Sequence, residues 1–274
     1  MTKGRRQGGF IAALALLLVF VAFAYGRDPS VEDGAVDLPP IPGGAVAQSP
    51  LLTRQSGTGA ETPPHPLSDP DGTSRYMAVE QQVAARAKPS SGSRVVARLG
   101  TRTPEGTTNV ILALARVERG GGRLWIQARL PVLPNNTLGW IPRDALGGYN
   151  QVTTRLVVDL SAFRATLYRR GTVIWNARVG VGQRQWATPA GEFYIRNRLT
   201  KYSSPTYGPL AFGTSARSPV LTDWPAGGFV GIHGTNQPSL IPGRISHGCV
   251  RLENADILRL DRLMSPGTPL SIVR

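Results

Sequence analysis

The chain has 274 residues, enough for about two domains at roughly 150 residues each. Lysine and arginine outnumber aspartate and glutamate by 31 to 17, so the net charge is +14 at pH 7, which favours anionic partners such as wall polymers or a membrane surface. The single cysteine excludes a small fold that is held together by internal disulfides.

The first 26 residues are predicted to be a signal peptide or a membrane anchor. Lys3, Arg5 and Arg6 form a basic cap, and residues 10–24 form an apolar run that ends in Ala-Phe-Ala, a pattern typical of signal cleavage. The run alone is too short to cross a hydrocarbon core of about 30 Å. Together with its flanking residues and a tilt it could still form a membrane anchor, so a cleaved signal and an anchor both stay open. Either one predicts an extracytoplasmic protein of the cell envelope, secreted or tethered, and argues against nucleic acid as a partner.

Residues 27–76 are predicted to be a disordered, proline-rich linker. Residues 28–75 contain nine prolines with several glycines and serines, and little that could form a core. His65 lies in this linker, and we expect it to be solvated.

Residues 77–149 are predicted to form a small β barrel. Short strands alternate with turns that contain glycine or proline, and they are expected at residues 83–87, 94–99, 109–116, 124–128 and 138–142. The Gly-Trp-Ile-Pro sequence at 139–142, with Trp-Ile-Gln-Ala at 125–128, resembles bacterial Src-homology-3-like domains. The resemblance implies binding of peptides or wall glycopeptides; a spacer or packing partner is the alternative.

Residues 151–274 are predicted to form a second, mostly β unit. Strands are expected at residues 156–160, 165–168, 173–180 and 193–195, and apolar residues at helical spacing predict a helix over 254–264. The fold class is therefore mainly β, with one or two helices in the second unit.

The chemistry concentrates at Cys249, His233 and His247, which are the only cysteine and two of the three histidines. A free thiol is only a few per cent ionised at pH 7, so a cysteine nucleophile needs a base, and imidazole is suited to that role. We expect the sulfur to be ionised by the adjacent ring. The alternative is a buried, inert cysteine with two structural histidines.

His233 comes from a separate segment and can approach the sulfur, so it is predicted to be the base, whereas His247 is restricted because it lies two residues from Cys249. In an extended segment His247, Cys249 and Arg251 share one face. Gly248 allows close approach of a substrate, and the backbone N–H groups of 247–249 are predicted to form an oxyanion hole. No fourth ligand for zinc is evident, so no metal and no cofactor is expected.

The His-Gly-Thr-Asn sequence at 233–236 and the Ser-His-Gly-Cys-Val-Arg-Leu sequence at 246–252 resemble the catalytic signature of the L,D-transpeptidases. Residues 187–193, Ala-Thr-Pro-Ala-Gly-Glu-Phe, resemble another element of that family, and the likeness extends over residues 153–274. It implies a β-rich catalytic domain with a role in peptidoglycan cross-linking and cell wall biogenesis. In such enzymes a cysteine attacks the third residue of a tetrapeptide stem, D-alanine leaves, and an amine of another stem resolves the thioester into a 3→3 cross-link.

Carried over by position, the resemblance makes Cys249 the nucleophile, His233 the proton acceptor, and His247 and Gly248 part of the oxyanion site. Ser246 is expected to orient the loop through hydrogen bonds. Other candidates for substrate binding are Thr235, Asn236, and Tyr202 and Tyr207 in a predicted lid at residues 201–216.

Arg251 is predicted to bind a substrate carboxylate, because a guanidinium suits bidentate contact. An ion pair with Glu253 or Asp256 is the alternative. At the level of function, an L,D-carboxypeptidase that resolves the same thioester with water and a non-catalytic wall-binding protein also stay open.

Overall fold

The computed structural model describes residues 62–200, 204–221 and 228–274, which belong to one compact unit made of two β sheets. The mainly β fold class is confirmed. Within these described residues, no helix is long and apolar enough to cross a membrane. The predicted signal or anchor at residues 1–26 and most of the predicted linker lie outside them.

The first sheet is antiparallel, and its strands follow the order β4-β3-β7-β6-β5-β2-β8, with β1 paired to β5. Its core contains Met77, Ile111, Ile126 and Ile141, all fully buried. The strands are β1 His65–Pro66, β2 Ser74–Ala78, β3 Val83–Arg86, β4 Val95–Leu99, β5 Val110–Arg119, β6 Arg123–Arg129, β7 Leu138–Pro142 and β8 Asn150–Val152.

This sheet begins inside the predicted linker, so the expected disorder up to residue 76 is wrong for its last part. Leu67 is buried in the first core, and the Arg75 guanidinium donates to the Leu67 carbonyl oxygen at 2.7 Å and to Asp69. One buried leucine among prolines gives no periodic signal, so tertiary contacts order this segment. His65 is exposed, as expected.

The second sheet is mixed, and its order is β11-β10-β9-β18-β13-β14-β15-β17-β12-β16. Its parallel pairs are β9 with β18, β15 with β17, and β12 with β16. The strands are β9 Thr154–Asp159, β10 Arg164–Arg169, β11 Thr172–Arg178, β12 Gly180–Gly182, β13 Gly191–Leu199, β14 Ala211–Arg217, β15 Phe229–His233, β16 Gly243–Ser246, β17 Val250–Arg251 and β18 Pro269–Val273.

The predicted helix is present but shorter. Helix α1 runs over Asn254–Asp261 and packs Ile257 and Leu260 into the core, and residues up to Met264 continue as a turn in which the Met264 N–H donates to the Leu260 carbonyl oxygen. The predicted lid at 201–216 is wrong for its second half. Strand β14 occupies that stretch and is buried on both faces, so it shows no alternation of polar and apolar residues.

The two sheets share an interface rather than a flexible connection. Tyr194 of β13 is fully buried, packs with Val110 and Leu112 of β5, and donates its hydroxyl to the Val110 carbonyl oxygen at 3.0 Å. A buried tyrosine whose hydroxyl is satisfied in this way fixes the distance and the orientation of the two strands.

Candidate active site

Two parallel neighbouring strands bring the predicted nucleophile and base together. His233 ends β15 and lies opposite Arg251 of β17, while Cys249 immediately precedes β17. The backbone N–H of Gly231, in the middle of β15, lies 3.4 Å from Cys249 Sγ. The sulfur therefore lies directly against the strand that carries His233.

Gly231 lies beside both the sulfur and the imidazole. A Cβ atom at this position would lie 3.8 Å from Cys249 Sγ and 3.9 Å from His233 Cδ2. Both side chains, with Arg251 and Tyr207, line a cavity of about 250 Å³. Cys249 and His233 thus line one cavity, and their pairing as nucleophile and base stays a prediction.

His233 is held as a neutral base. The ring is 2% exposed, and Nδ1 lies 2.6 Å from the Gly234 carbonyl oxygen, which can only accept, so Nδ1 carries the hydrogen and Nε2 is left as the acceptor. Burial lowers the pKa of His233 to about 4; the Gly234 hydrogen bond opposes this and the charge of Arg251 adds to it. The Tyr207 ring contacts the imidazole edge-on, with centroids 4.7 Å apart.

The surroundings of Cys249 disfavour its thiolate. Burial raises the pKa of this thiol above the usual 9.0, and the Gly231 N–H and the Arg251 charge only partly offset this. The ionised sulfur that the sequence predicts is therefore disfavoured in the unliganded site, because burial favours neutral groups over a thiolate and an imidazolium. The proton must move when the substrate arrives.

The loop that carries Cys249 has a backbone conformation that requires glycine. Gly248 has a φ of 115°, its N–H donates to Ser246 Oγ at 3.1 Å, and Ser246 Oγ donates to the Cys249 carbonyl oxygen at 2.5 Å. Ser246 thus makes hydrogen bonds that hold the loop, as the sequence predicts. The Gly248 N–H is used inside the loop in this arrangement, and its oxyanion role stays a prediction.

Thr188 is a second support of the same loop, and the sequence did not reveal this role. Its buried hydroxyl donates to the Gly248 carbonyl oxygen at 2.8 Å and accepts from the Gly182 N–H at 2.9 Å. The only signal in the sequence was its place in the motif at residues 187–193. The motif thus holds the loop from behind rather than contacting the sulfur.

His247 and Arg251 lie with Cys249 on the open side of the segment. Burial alternates along residues 246–252 as the extended pattern predicts. His247 is exposed, and its ring packs on Trp186 with centroids 4.0 Å apart and an interplanar angle of 34°. This contact fits a supporting residue at the rim of the cavity.

Arg251 is available for a ligand. No carboxylate among the described residues lies within ion-pair distance of it, Glu253 and Asp256 included, and its buried Nε has no hydrogen-bond partner there. This favours the substrate-binding role over the structural ion pair.

The other predicted binding residues do not all reach the cavity. Thr235 is 1% exposed, its N–H donates to Asn254 Oδ1 at 2.9 Å, and Asn236 is exposed away from the cavity lining. Neither residue lines this cavity, Thr235 builds a turn, and contact of the two with a substrate stays a prediction. Tyr207 does line the cavity, and Tyr202 lies outside the described residues.

Comparison with known proteins shows which family the second sheet resembles. Residues 153–272 match the family model YkuD, the L,D-transpeptidase catalytic domain. This region is similar to L,D-transpeptidase catalytic domains. It carries all the residues of the cavity described above, whereas the first sheet lies outside the match, and its likeness to Src-homology-3 domains stays a prediction.

The chain is also similar to individual proteins. The "Putative L,D-transpeptidase YkuD" of Bacillus licheniformis is 34% identical over 118 residues, which is 43% of this chain and 64% of that protein. The "Probable L,D-transpeptidase YbiS" of Escherichia coli K12 is 29% identical over 208 residues, 68% of this chain and 67% of that protein. The NMR structure of the catalytic domain of the Enterococcus faecium L,D-transpeptidase is 26% identical, covers 43% of this chain and 95% of its own, and has a TM-score of 0.34. The chain thus spans less than two thirds of the Bacillus relative.

Proposed function

We propose that this protein is a cysteine acyltransferase, an L,D-transpeptidase that forms 3→3 cross-links in peptidoglycan outside the cytoplasm. The observation that carries the proposal is that Cys249 and the buried His233 ring line one cavity beside Gly231, together with Arg251, which has no ion-pair partner among the described residues. A nucleophile, a base and an anion-binding group are what acyl transfer from a peptide carboxyl end requires.

In the first step His233 Nε2 takes the thiol proton while Cys249 Sγ bonds to the carbonyl carbon of the third stem residue. The negative charge that develops on the carbonyl oxygen then collapses, the C–N bond to the terminal D-alanine breaks, and the imidazolium gives its proton to the leaving amine. A thioester on Cys249 and free D-alanine result. Because both partners begin neutral, no buried charge pair has to exist before the substrate binds.

In the second step a side-chain amine of another stem attacks the thioester. His233 Nε2 takes a proton from the amine, the C–S bond breaks, and the sulfur leaves as a thiolate that regains a proton from the imidazolium. The product is an amide cross-link, and the enzyme returns to its initial state. With water as the acceptor, the same sequence would yield a tripeptide, which is the carboxypeptidase reaction.

Arg251 is the group that would bind the carboxylate of the terminal D-alanine. Its positive charge also disfavours protonated His233, so the residue supports the neutral base. The net charge of +14 suits a protein that works among anionic wall polymers or near a membrane surface, and the basic and apolar first 26 residues support export.

Product analysis tests the proposal. The full chain and its Cys249→Ala variant are incubated with disaccharide-tetrapeptide, and the products are identified by mass spectrometry. We expect loss of D-alanine and a cross-linked dimer from the wild type alone. Tripeptide without dimer would replace the transferase by the carboxypeptidase, and binding without either product would support a non-catalytic wall-binding protein.

A further inference from the structure

A loop of the first sheet reaches the wall of the catalytic cavity through a buried ion pair. Glu105 lies in the turn between β4 and β5, and both of its carboxylate oxygens accept from Arg196 Nη2, at 2.7 and 2.9 Å. The Arg196 side chain is 2% exposed and the Glu105 side chain is 16% exposed. The pair thus connects the first sheet to β13 of the second.

Contacts within the turn that carries Glu105 hold it in place independently of Arg196. Thr103 and Thr107 bond to each other through their hydroxyls at 2.8 Å, and Gly106 closes the turn with a φ of 79°. Asn197 then donates to Glu105 Oε2 at 3.0 Å and to Thr107 Oγ1 at 3.1 Å. The carboxylate therefore presents a rigid acceptor to the arginine.

Arg196 transmits this contact to the cavity. Its guanidinium carbon lies 3.6 Å from the centroid of the Phe229 ring, and Phe229 lines the cavity of Cys249 and His233. Phe229 also begins β15, the strand whose Gly231 contacts the sulfur and whose last residue is the base. A displaced guanidinium would release the ring that forms one wall of the cavity and the start of the strand that carries the base.

A second arginine near the same ring is also held by a loop of the first sheet. Asn135, in the loop between β6 and β7, donates its side-chain amide to the Arg217 carbonyl oxygen at 2.8 Å and accepts from the Arg217 N–H at 3.0 Å. The Arg217 guanidinium carbon lies 5.0 Å from the Phe229 centroid. Two loops of the first sheet thus hold the two arginines that contact Phe229.

We propose that Glu105 and Arg196 are positioning residues for the acyl-transfer site, so that the first sheet shapes the cavity wall at Phe229 and is more than a spacer. Burial lowers the pKa of Arg196, and the negative charge of Glu105 opposes this shift. The contact therefore depends on the charge of Glu105 as well as on the shape of its side chain. The inference rests on the proposed acyl transfer at Cys249.

The test uses the full chain and the rate of Cys249 acylation by a carbapenem, followed by intact mass at several carbapenem concentrations. Glu105→Gln keeps the shape and removes the charge, and we expect its second-order rate constant to fall about two- to thirtyfold, mainly through weaker binding. Asp144→Asn is the matched control, because it removes the charge from an exposed ion pair of the same sheet, with Arg123. We expect this control to stay within twofold of the wild type.

A double-mutant cycle separates positioning from general destabilisation. Phe229→Leu removes the ring that Arg196 contacts, so Glu105→Gln should have little further effect on the rate in that background. Additive effects in the cycle, or a folded Glu105→Gln protein with a wild-type rate, would overturn the inference. If Glu105→Gln does not fold, Glu105→Asp keeps the charge on a shorter arm, and the same criteria apply to it. A wild type that forms no adduct would instead count against the proposed function.

Discussion

The two segments that meet at the sulfur are built differently. Strand β15 delivers His233 from inside the sheet, where the ring is 2% exposed and its tautomer is fixed by the Gly234 carbonyl group. The loop of residues 246–249 lies at the edge of the cavity, carries the exposed His247, and depends on a glycine with positive φ. The buried strand supplies the base, and the loop orients the sulfur of Cys249.

This difference explains why one histidine serves as the base and the other does not. Both rings line the same cavity, and both are close to Cys249 in space or in sequence. The His233 ring is desolvated and has one nitrogen committed to a carbonyl oxygen, which leaves the other as a defined acceptor. The His247 ring is exposed at the rim of the cavity, where it packs on Trp186.

The largest effect is expected from removing the base on the strand side. His233→Gln should lower the rate of Cys249 acylation by about 10²- to 10⁴-fold, because the thiol loses its general base. His247→Gln in the loop should have a clearly smaller effect. The rates are measured from the carbapenem adduct by intact mass, and a larger loss in His247→Gln would reverse the assignment of the two segments.

A strained loop should be the next most sensitive element. Gly248→Ala places a side chain at a φ of 115°, so we expect the free energy of unfolding to fall by about 1–3 kcal/mol. Misplacement of the sulfur should reduce acylation by up to about 10²-fold. Gly148→Ala is the control, since a Cβ there meets nothing within 4 Å. Equal behaviour of the two variants, in urea unfolding and in acylation, would contradict the strain argument.

The support behind the loop gives a finer test. Thr188→Val removes the hydroxyl that bonds the Gly248 carbonyl group and the Gly182 N–H, so both become unsatisfied and the stability should fall by about 1–3 kcal/mol. Thr188→Ser keeps the hydroxyl and should recover most of the loss. If the serine variant unfolds in urea as easily as the valine variant, the hydrogen bonds are not the reason for threonine at this position.

The smallest predicted effect is that the free energy of unfolding depends on pH through the protonation of His233. Its folded-state pKa of about 4 lies below the usual 6.5, so the unfolded chain takes up the proton first as the pH falls. The contribution is fully present above pH 6.5, and about 1–2 kcal/mol should be lost between pH 6.5 and pH 5. His233→Gln should lack this component in urea unfolding at the two pH values; an unchanged pH dependence in the variant would show that the ring is not desolvated.

Much of the site could be predicted because its chemistry is compact in sequence. The only cysteine and two histidines lie between residues 233 and 249, and alternation placed Cys249 and Arg251 on one face. The strands of the first sheet were also largely predictable from turns at regular spacing. Local signals of this kind depend on near neighbours in the chain.

The rest depends on contacts between distant residues, which a single sequence does not encode locally. Strand β14 shows no alternation because both of its faces are buried, and Leu67 is ordered only by the first core. The use of the Gly248 N–H by Ser246 depends on a loop conformation, and the ionisation of Cys249 depends on burial that composition cannot reveal. The Glu105–Arg196 pair joins residues that lie 91 positions apart.

The measurement that tests the central claim most directly is the pH dependence of the alkylation of Cys249 by iodoacetamide in the wild-type chain. The neutral pair of Cys249 and His233 predicts a rate that keeps rising by about tenfold per pH unit up to and beyond pH 9, because only the thiolate reacts and its pKa is raised. A rate that reaches its plateau below pH 7 would contradict this account, since it would show a thiolate and imidazolium pair already formed in the free enzyme.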